Sequence, residues 1–171
     1  MKRTIFEIKA KCVDSSEIRE ILKAKNASFK GKDLQIDTYF KVSSGRLKLR
    51  EGKIENNLIF YMREDNKGPK QSNVILYKTE PGSSLKALLT NALGILVVVE
   101  KEREIYFIDN VKFHIDRVES LGSFVEIEAI DKDGSIGIEE LRKQCEDYLT
   151  LFKIEEKDLI SRSYSDLLLE K

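Results

Sequence analysis

The chain has no tryptophan, one histidine (His114), two cysteines (Cys12 and Cys145) and two prolines (Pro69 and Pro81) among 171 residues. Each scarcity removes a class of protein. Two cysteines far apart exclude a disulfide scaffold and a CxxC metal knuckle, and a single histidine excludes a multi-histidine zinc site. No apolar run approaches the roughly 20 residues that a membrane helix needs; the longest, Ile95 to Val99, is strand-sized. Low-complexity tracts, internal repeats and proline-rich linkers are also missing, so one domain over residues 1–171 is expected. Met1-Lys2-Arg3-Thr4 runs directly into alternating sequence, so no signal peptide and a cytoplasmic location are expected. An excess of charge is lacking too, because 30 Lys and Arg balance 30 Asp and Glu. That zero argues against nucleic acid or an anionic membrane as partner. Charged residues nevertheless make up 35% of the chain, and their arrangement carries the information.

What is present is alternation. Thr4 to Val13 has the period-two pattern of a strand. Asp14-Ser15-Ser16-Glu17 reads as a helix start with a capping box, followed by Ile18, Ile21 and Leu22 on one face and an end near Asn26. Strands are expected at Phe29 to Val42, Arg46 to Arg50, Asn57 to Glu64 and Ser72 to Thr79. Ser43-Ser44-Gly45 and Asp65-Asn66-Lys67-Gly68-Pro69 are the turns among them. Ser83-Ser84 caps a helix striped by Leu85, Leu88, Leu89 and Leu93, which stops at Gly94. Three more strands follow, Ile95 to Ile108, Val111 to Val118 and Phe124 to Ile130, turned by Asp109-Asn110 and Leu121-Gly122. Glu139 to Phe152 and Tyr164 to Leu169 are helices. About eight strands in hairpin succession with three or four helices make an α+β chain with a large antiparallel sheet, open or closed into a barrel.

Alternation also sorts the charge. Glu7, Lys9 and Lys11 share one face of the first strand, opposite Phe6, Ile8 and Ala10. Arg46, Lys48 and Arg50 share a face, as do Tyr61 with Arg63 and Lys101 with Arg103. Lys112, His114 and Asp116 lie opposite Phe113 and Ile115, and Glu126 with Glu128 opposite Val125, Ile127 and Ala129. The ordinary meaning of such a pattern is a sheet with one face on helices and one in water. Two features point elsewhere. Cations dominate the early strands and carboxylates the last ones, and like charges side by side are unfavourable without a partner. Clustered Lys and Arg suit a bound polyanion through charge-assisted hydrogen bonds. Neighbouring carboxylates would then suit Mg²⁺ or Mn²⁺, hard cations that bridge carboxylate to phosphate.

These residues resemble the CYTH domain, the triphosphate tunnel metalloenzyme superfamily, along nearly the whole chain. The matching segments are Phe6-Glu7-Ile8-Lys9-Ala10-Lys11, Asp37-Thr38-Tyr39-Phe40, Gly45-Arg46-Leu47-Lys48-Leu49-Arg50-Glu51 and Lys101-Glu102-Arg103. They continue through His114-Ile115-Asp116, Gly122-Ser123-Phe124-Val125-Glu126-Ile127-Glu128 and Ser163-Tyr164-Ser165-Asp166-Leu167-Leu168. The resemblance implies an eight-stranded antiparallel closed β-barrel, a tunnel with a charged interior and helices outside. Class IV adenylyl cyclases, thiamine triphosphatases and inorganic tripolyphosphatases belong to that superfamily, whose members often form homodimers. It implies phosphate contacts from Lys9, Lys11, Arg46, Lys48, Arg50, Arg63, Lys101 and Arg103, with Lys78 a weaker candidate beside Val74 and Leu76. It implies Mg²⁺ or Mn²⁺ held by Glu126, Glu128, Glu7 and Asp116, with Glu7 and Lys9 as catalytic residues. The partner it implies is a small triphosphate: ATP, thiamine triphosphate or tripolyphosphate.

The chain departs from the family's Glu-x-Glu-x-Lys signature. With Lys9 as the motif lysine, Ile5 stands where the first glutamate belongs. Aligned on Lys11 instead, Glu7 becomes the first glutamate and Lys9 the departure; the further basic residue that members carry two positions on favours Lys9. Three functions follow: a cyclase forming cyclic AMP and pyrophosphate, a triphosphatase, and a tunnel that binds triphosphate without turnover. Elsewhere the signals are weak. His114 lacks a nucleophile partner motif and reads as tunnel wall; Cys12 and Cys145 read as structural. Asp131-Lys132-Asp133-Gly134 resembles the start of a calcium loop without its later glutamate, so a turn is expected. Gly68-Pro69-Lys70 lacks P-loop spacing and reads as a hairpin whose Lys70 could reach a nucleotide at the tunnel mouth. Tyr61 fits either tunnel wall or base-stacking surface.

Overall fold

A computed structural model describes residues 2–63, 65 and 67–171. Glu64, the last residue of the fourth expected strand, and Asn66 in the turn after it lie outside the described residues, as does Met1. The strands are β1 (Lys2–Lys11), β2 (Ser28–Phe40), β3 (Arg46–Glu51), β4 (Asn57–Arg63), β5 (Lys70–Lys78), β6 (Ile95–Ile108), β7 (Val111–Val118) and β8 (Gly122–Asp131). They close into an antiparallel barrel in the order β1-β5-β4-β3-β2-β6-β7-β8. Two hairpin runs, β2 to β5 and β6 to β8, are joined where β2 pairs with β6. β1 then pairs with both β5 and β8 and removes the last open edges.

Four helices lie outside: α1 (Ser16–Ala24), α2 (Leu85–Leu93), α3 (Ile138–Leu151) and α4 (Tyr164–Leu169). The main core sits between the barrel wall and two of them. Phe6, Ile8, Phe113, Val125 and Ile127 point outward and pack with Ile18 and Leu22 of α1 and Leu141 and Cys145 of α3. Burying that apolar area stabilises the fold by roughly 25 cal/mol per Å². The other face of the same strands is thereby released from core duty, and it is the face that carries the charge.

The start of α1 differs from its expected form. Asp14 accepts a hydrogen bond from the Ser16 N–H at 2.9 Å, and no capping box forms. With Ser15 at the cap, Glu17 is the second helical residue, one short of the position from which it can reach back. A capping box forms at α4 instead. Ser163 Oγ accepts from the Asp166 N–H and Asp166 Oδ2 accepts from the Ser163 N–H, each at 3.2 Å. Ser163→Ala should therefore lower stability by about 1 kcal/mol, seen as a lower urea midpoint at unchanged slope.

The segment before α4 is tied to the barrel rim. Leu159 bridges to Ala10, and the Ile160 N–H donates to the Lys9 carbonyl at 2.9 Å. Tyr164 then enters the barrel, its ring centroid 5.0 Å from that of Phe124. Asp131, buried at the end of β8, accepts from the Asp133, Gly134, Ile136 and Gly137 N–H groups and shapes the expected turn.

Candidate functional site in the barrel interior

The barrel encloses a cavity of about 370 Å³. Nine of its lining residues are Lys or Arg and four are Glu, so a chain of zero net charge has a cationic interior. One wall is apolar: Ile5, Ile59, Val74, Leu76 and Ile130. Ile5 pairs with Ile130 across β1 and β8, so Ile5 belongs to a continuous apolar wall.

Asp37, 1% exposed on β2, organises the cations of three strands. Arg50 donates to both of its oxygens at 2.9 Å, Lys48 reaches Oδ2 at 3.0 Å and Lys101 reaches it at 2.7 Å. Burial opposes charge on Asp37, but Arg50, Lys101 and Lys48 outweigh it and hold the carboxyl well below the usual carboxylate range. Glu55 adds a second carboxylate, paired with Arg50 at 3.0 Å and with Lys112, so two carboxylates face four cations. Burial, only partly offset by Asp37, pushes the Lys101 amine well below the usual lysine range, and Arg50, Arg103 and Lys48 add to that effect.

A second network covers the facing wall. Arg103 forks onto Asp116, at 2.7 Å through Nε, and its Nη2 also donates to Glu126 at 3.1 Å. Tyr164 Oη donates to Asp116 at 2.8 Å. Glu126 further receives Lys9 Nζ at 3.0 Å and lies 3.0 Å from His114 Nδ1. Burial and the Arg103 charge lower the His114 pKa, favouring the neutral ring. Donor atoms of His114, Glu126 and Glu128 all lie within 4.8 Å of one another. Glu126 and Glu128 line the cavity and His114, read from the sequence as tunnel wall, is buried behind that lining; two carboxylates beside a neutral imidazole suit a divalent cation such as Mg²⁺ or Mn²⁺.

Arg63 donates to Glu7 through Nη1, while its buried Nε has no hydrogen-bond partner among the described residues. A buried guanidinium donor without an acceptor is costly unless a ligand supplies one.

Residues 5–164 match the sequence profile of the CYTH domain. The chain belongs to the CYTH family. A Methanocaldococcus jannaschii protein named "Putative adenylate cyclase" is 30% identical, with 94% of this chain and 96% of that protein covered. Among solved structures, a Pyrococcus horikoshii OT3 protein superposes with a TM-score of 0.78 at 24% identity, covering 95% and 98% of the two chains. A Hippeastrum protein named "Putative adenylyl cyclase" shares the fold, superposing with a TM-score of 0.59 at 14% identity and covering 99% and 94%.

Within this CYTH barrel, Glu7, Lys9, Lys48, Arg50, Arg63, Lys101, Arg103, Glu126 and Glu128 all line the cavity. Lys11 is exposed at the end of β1, and Lys78 is exposed on β5. Arg46 lies outside the cavity lining and pairs with Asp166 at 2.7 Å and Asp65 at 3.2 Å. Asp116 sits behind the lining and serves Arg103 and Tyr164; Glu7 serves Arg63. Lys70 is buried and donates to the Ser161 carbonyl at 2.8 Å, tying β5 to the C-terminal segment. Burial, with Arg63 nearby, lowers its pKa to about 8. Tyr61 lines the cavity and shares a 3.5 Å hydroxyl contact with Tyr39. Sequence patterning missed the organising role of Asp37, the cavity positions of Lys112 and Tyr164, and Glu55. The first three carried the right alternation, or lay in a matching segment, and had a signal; Glu55, on a loop, had none.

Proposed function

We propose that this CYTH barrel binds a triphosphate together with Mg²⁺ or Mn²⁺ and acts on it as a class IV adenylyl cyclase does, converting ATP to cyclic AMP and pyrophosphate. The observation that carries the proposal is the buried cation cluster of Arg50, Lys48, Lys101 and Lys112, which Asp37 and Glu55 together do not neutralise. Lys48, Lys101 and Lys9 would take phosphate oxygens, and Arg63 would offer its unpartnered Nε. His114, Glu126 and Glu128 would hold the cation, which when bound neutralises phosphate charge and polarises phosphoryl oxygens.

The apolar wall of Ile5, Ile59, Val74, Leu76 and Ile130 favours a triphosphate with an organic group over bare tripolyphosphate. In the cyclase reaction the ribose 3′-oxygen bonds to the α-phosphorus and the bond to the bridging oxygen of the leaving pyrophosphate breaks. Glu7, on the cavity wall, accepts the hydroxyl proton, and Lys9 faces the charge that develops on the phosphoryl oxygens. The name of the Methanocaldococcus relative supports this activity. The Hippeastrum homologue is described as having a dominant triphosphatase activity, which supports hydrolysis as the second reading, with water in place of the ribose hydroxyl. Ile5, in place of a signature glutamate, supports a third, binding without turnover.

One assay separates them. Purified protein with Mg²⁺ or Mn²⁺ is given ATP, thiamine triphosphate and tripolyphosphate, and cyclic AMP, pyrophosphate and orthophosphate are resolved. Cyclic AMP with pyrophosphate is the expected result. Orthophosphate replaces it with hydrolysis, and ligand-induced melting shifts with no product leave a binder. If neither tripolyphosphate nor ATP with metal raises the melting temperature, the proposal fails altogether.

A further inference from the structure

Between β3 and β4 the chain makes a tight loop, residues 52–56, that turns into the barrel mouth. Asp33, fully buried on β2, builds it: Oδ1 accepts the Lys53 and Ile54 N–H groups at 2.7 and 3.1 Å, and Oδ2 accepts that of Glu55 at 3.0 Å. Gly52 packs so close that a Cβ there would come within 2.5 Å of Asp33 Oδ2. Asn56 closes the loop by donating to the Gly52 carbonyl at 2.7 Å.

This scaffold delivers one side chain to the cavity. Glu55 Oε2 accepts from Arg50 Nη1 at 3.0 Å and from Gln35 Nε2 at 3.1 Å, and Oε1 accepts from Lys112. Arg50, Glu55 and Lys112 all line the cavity. A carboxylate bridging two lumen-facing cations sits where a phosphate oxygen would sit. Arg50 pairs with Asn57 at the loop end of the β3–β4 ladder, and Lys48 pairs with Ile59 one inward step further in. Successive inward residues on a strand are about 7 Å apart, so Glu55 claims the outermost tier of cations, while Lys48 and Lys101 in the deeper one share the single carboxylate of Asp37.

We propose that Glu55 sets the length of polyphosphate this tunnel accepts, its carboxylate occupying the Arg50–Lys112 tier so that a triphosphate fits and a long chain meets negative charge. The proposal rests on the triphosphate reading of the cavity. A phosphate forced into that tier would face a fixed, partly buried carboxylate, and like charges placed together in such a site cost more than they do in water. Apolar residues at the same place would not discriminate by charge, and a loop without the Asp33 scaffold would swing aside.

The test compares wild type, Glu55→Gln and Gly52→Ala by calorimetric titration with inorganic tripolyphosphate and with long-chain inorganic polyphosphate, at one metal concentration and ionic strength. Glu55→Gln should tighten long-chain binding about tenfold relative to tripolyphosphate, a shift of roughly 1.4 kcal/mol. Gly52→Ala keeps every charge but displaces the Asp33 carboxylate, and it should move the ratio the same way. It also answers the case in which Arg50 and Lys112 fold poorly without their partner. An unchanged ratio in both variants, or equal tightening of both ligands, overturns the role of Glu55 and leaves the triphosphate reading standing. Failure of wild type to bind tripolyphosphate removes the length-setting role, and failure to bind ATP as well removes the triphosphate reading with it.

Discussion

Replacing Glu128 with glutamine is expected to abolish metal binding while leaving the fold intact. Glu128 lines the cavity and makes no ion pair with a Lys or Arg among the described residues, the neutral His114 ring lying 3.8 Å away. Removing its charge therefore breaks no strong internal contact, yet it takes one of two carboxylates from the three-residue donor group. Groups that only orient metal ligands typically cost 10–100-fold in affinity when changed; loss of a ligand should exceed about 100-fold. Glu126→Gln makes the control. Glu126 is held by Lys9 at 3.0 Å, Arg103 at 3.1 Å and His114 at 3.0 Å, so its neutralisation leaves buried Lys9 without its ion-pair partner and lowers stability by about 3–5 kcal/mol as well. Manganese titration and thermal melting of the two variants read these effects separately. If Glu128→Gln binds manganese as wild type does, the donor group is not the metal site.

The division between wall and lumen is legible in the sequence, because it is written in alternation. β6 and β7 have the bounds that their patterns predict, and the outward positions of β1, β7 and β8 form the main core as their apolar residues require. What alternation cannot state is which charge meets which. Asp37 reaches Lys101 across the β2–β6 pairing, 64 residues away in sequence, and Arg46 is satisfied by Asp166 of α4, 120 residues away. Such pairs are set by barrel closure and by where the last helix docks, and neither is periodic along the chain. The separation of signs by strand is also less complete in space than in sequence. Asp37 and Glu55 stand among the cations, while Arg103 and Lys9 stand among the carboxylates. Glu55 is invisible to patterning for a further reason: its position depends on backbone N–H groups folded over Asp33, a contact with no residue-type signature.

Asp37→Asn should be strongly destabilising, and a polyanion should repair it. The side chain is 1% exposed and receives Arg50, Lys48 and Lys101, so an amide leaves Lys48 and Lys101 without an anion and Arg50 with Glu55 alone. Breaking a buried pair by removing one partner typically costs about 3–5 kcal/mol. The sign with pH follows from the depressed pKa of Asp37. Its contribution is complete above the ordinary unfolded value of about 3.9 and disappears as pH falls through the lower folded value. Wild type should therefore lose stability over that acid range, and the variant, already without the charge, should show a flatter profile. The decisive measurement is at neutral pH with ligand. Tripolyphosphate binding only the folded state stabilises it by mass action, and in the variant it would also supply the missing negative charge. Its melting-temperature shift should accordingly be larger for Asp37→Asn than for wild type at the same concentration. An equal or smaller shift would mean that the Asp37 cations are a structural cluster and not the seat of a phosphate, since a polyanion bound among them has to replace the charge that the substitution removed.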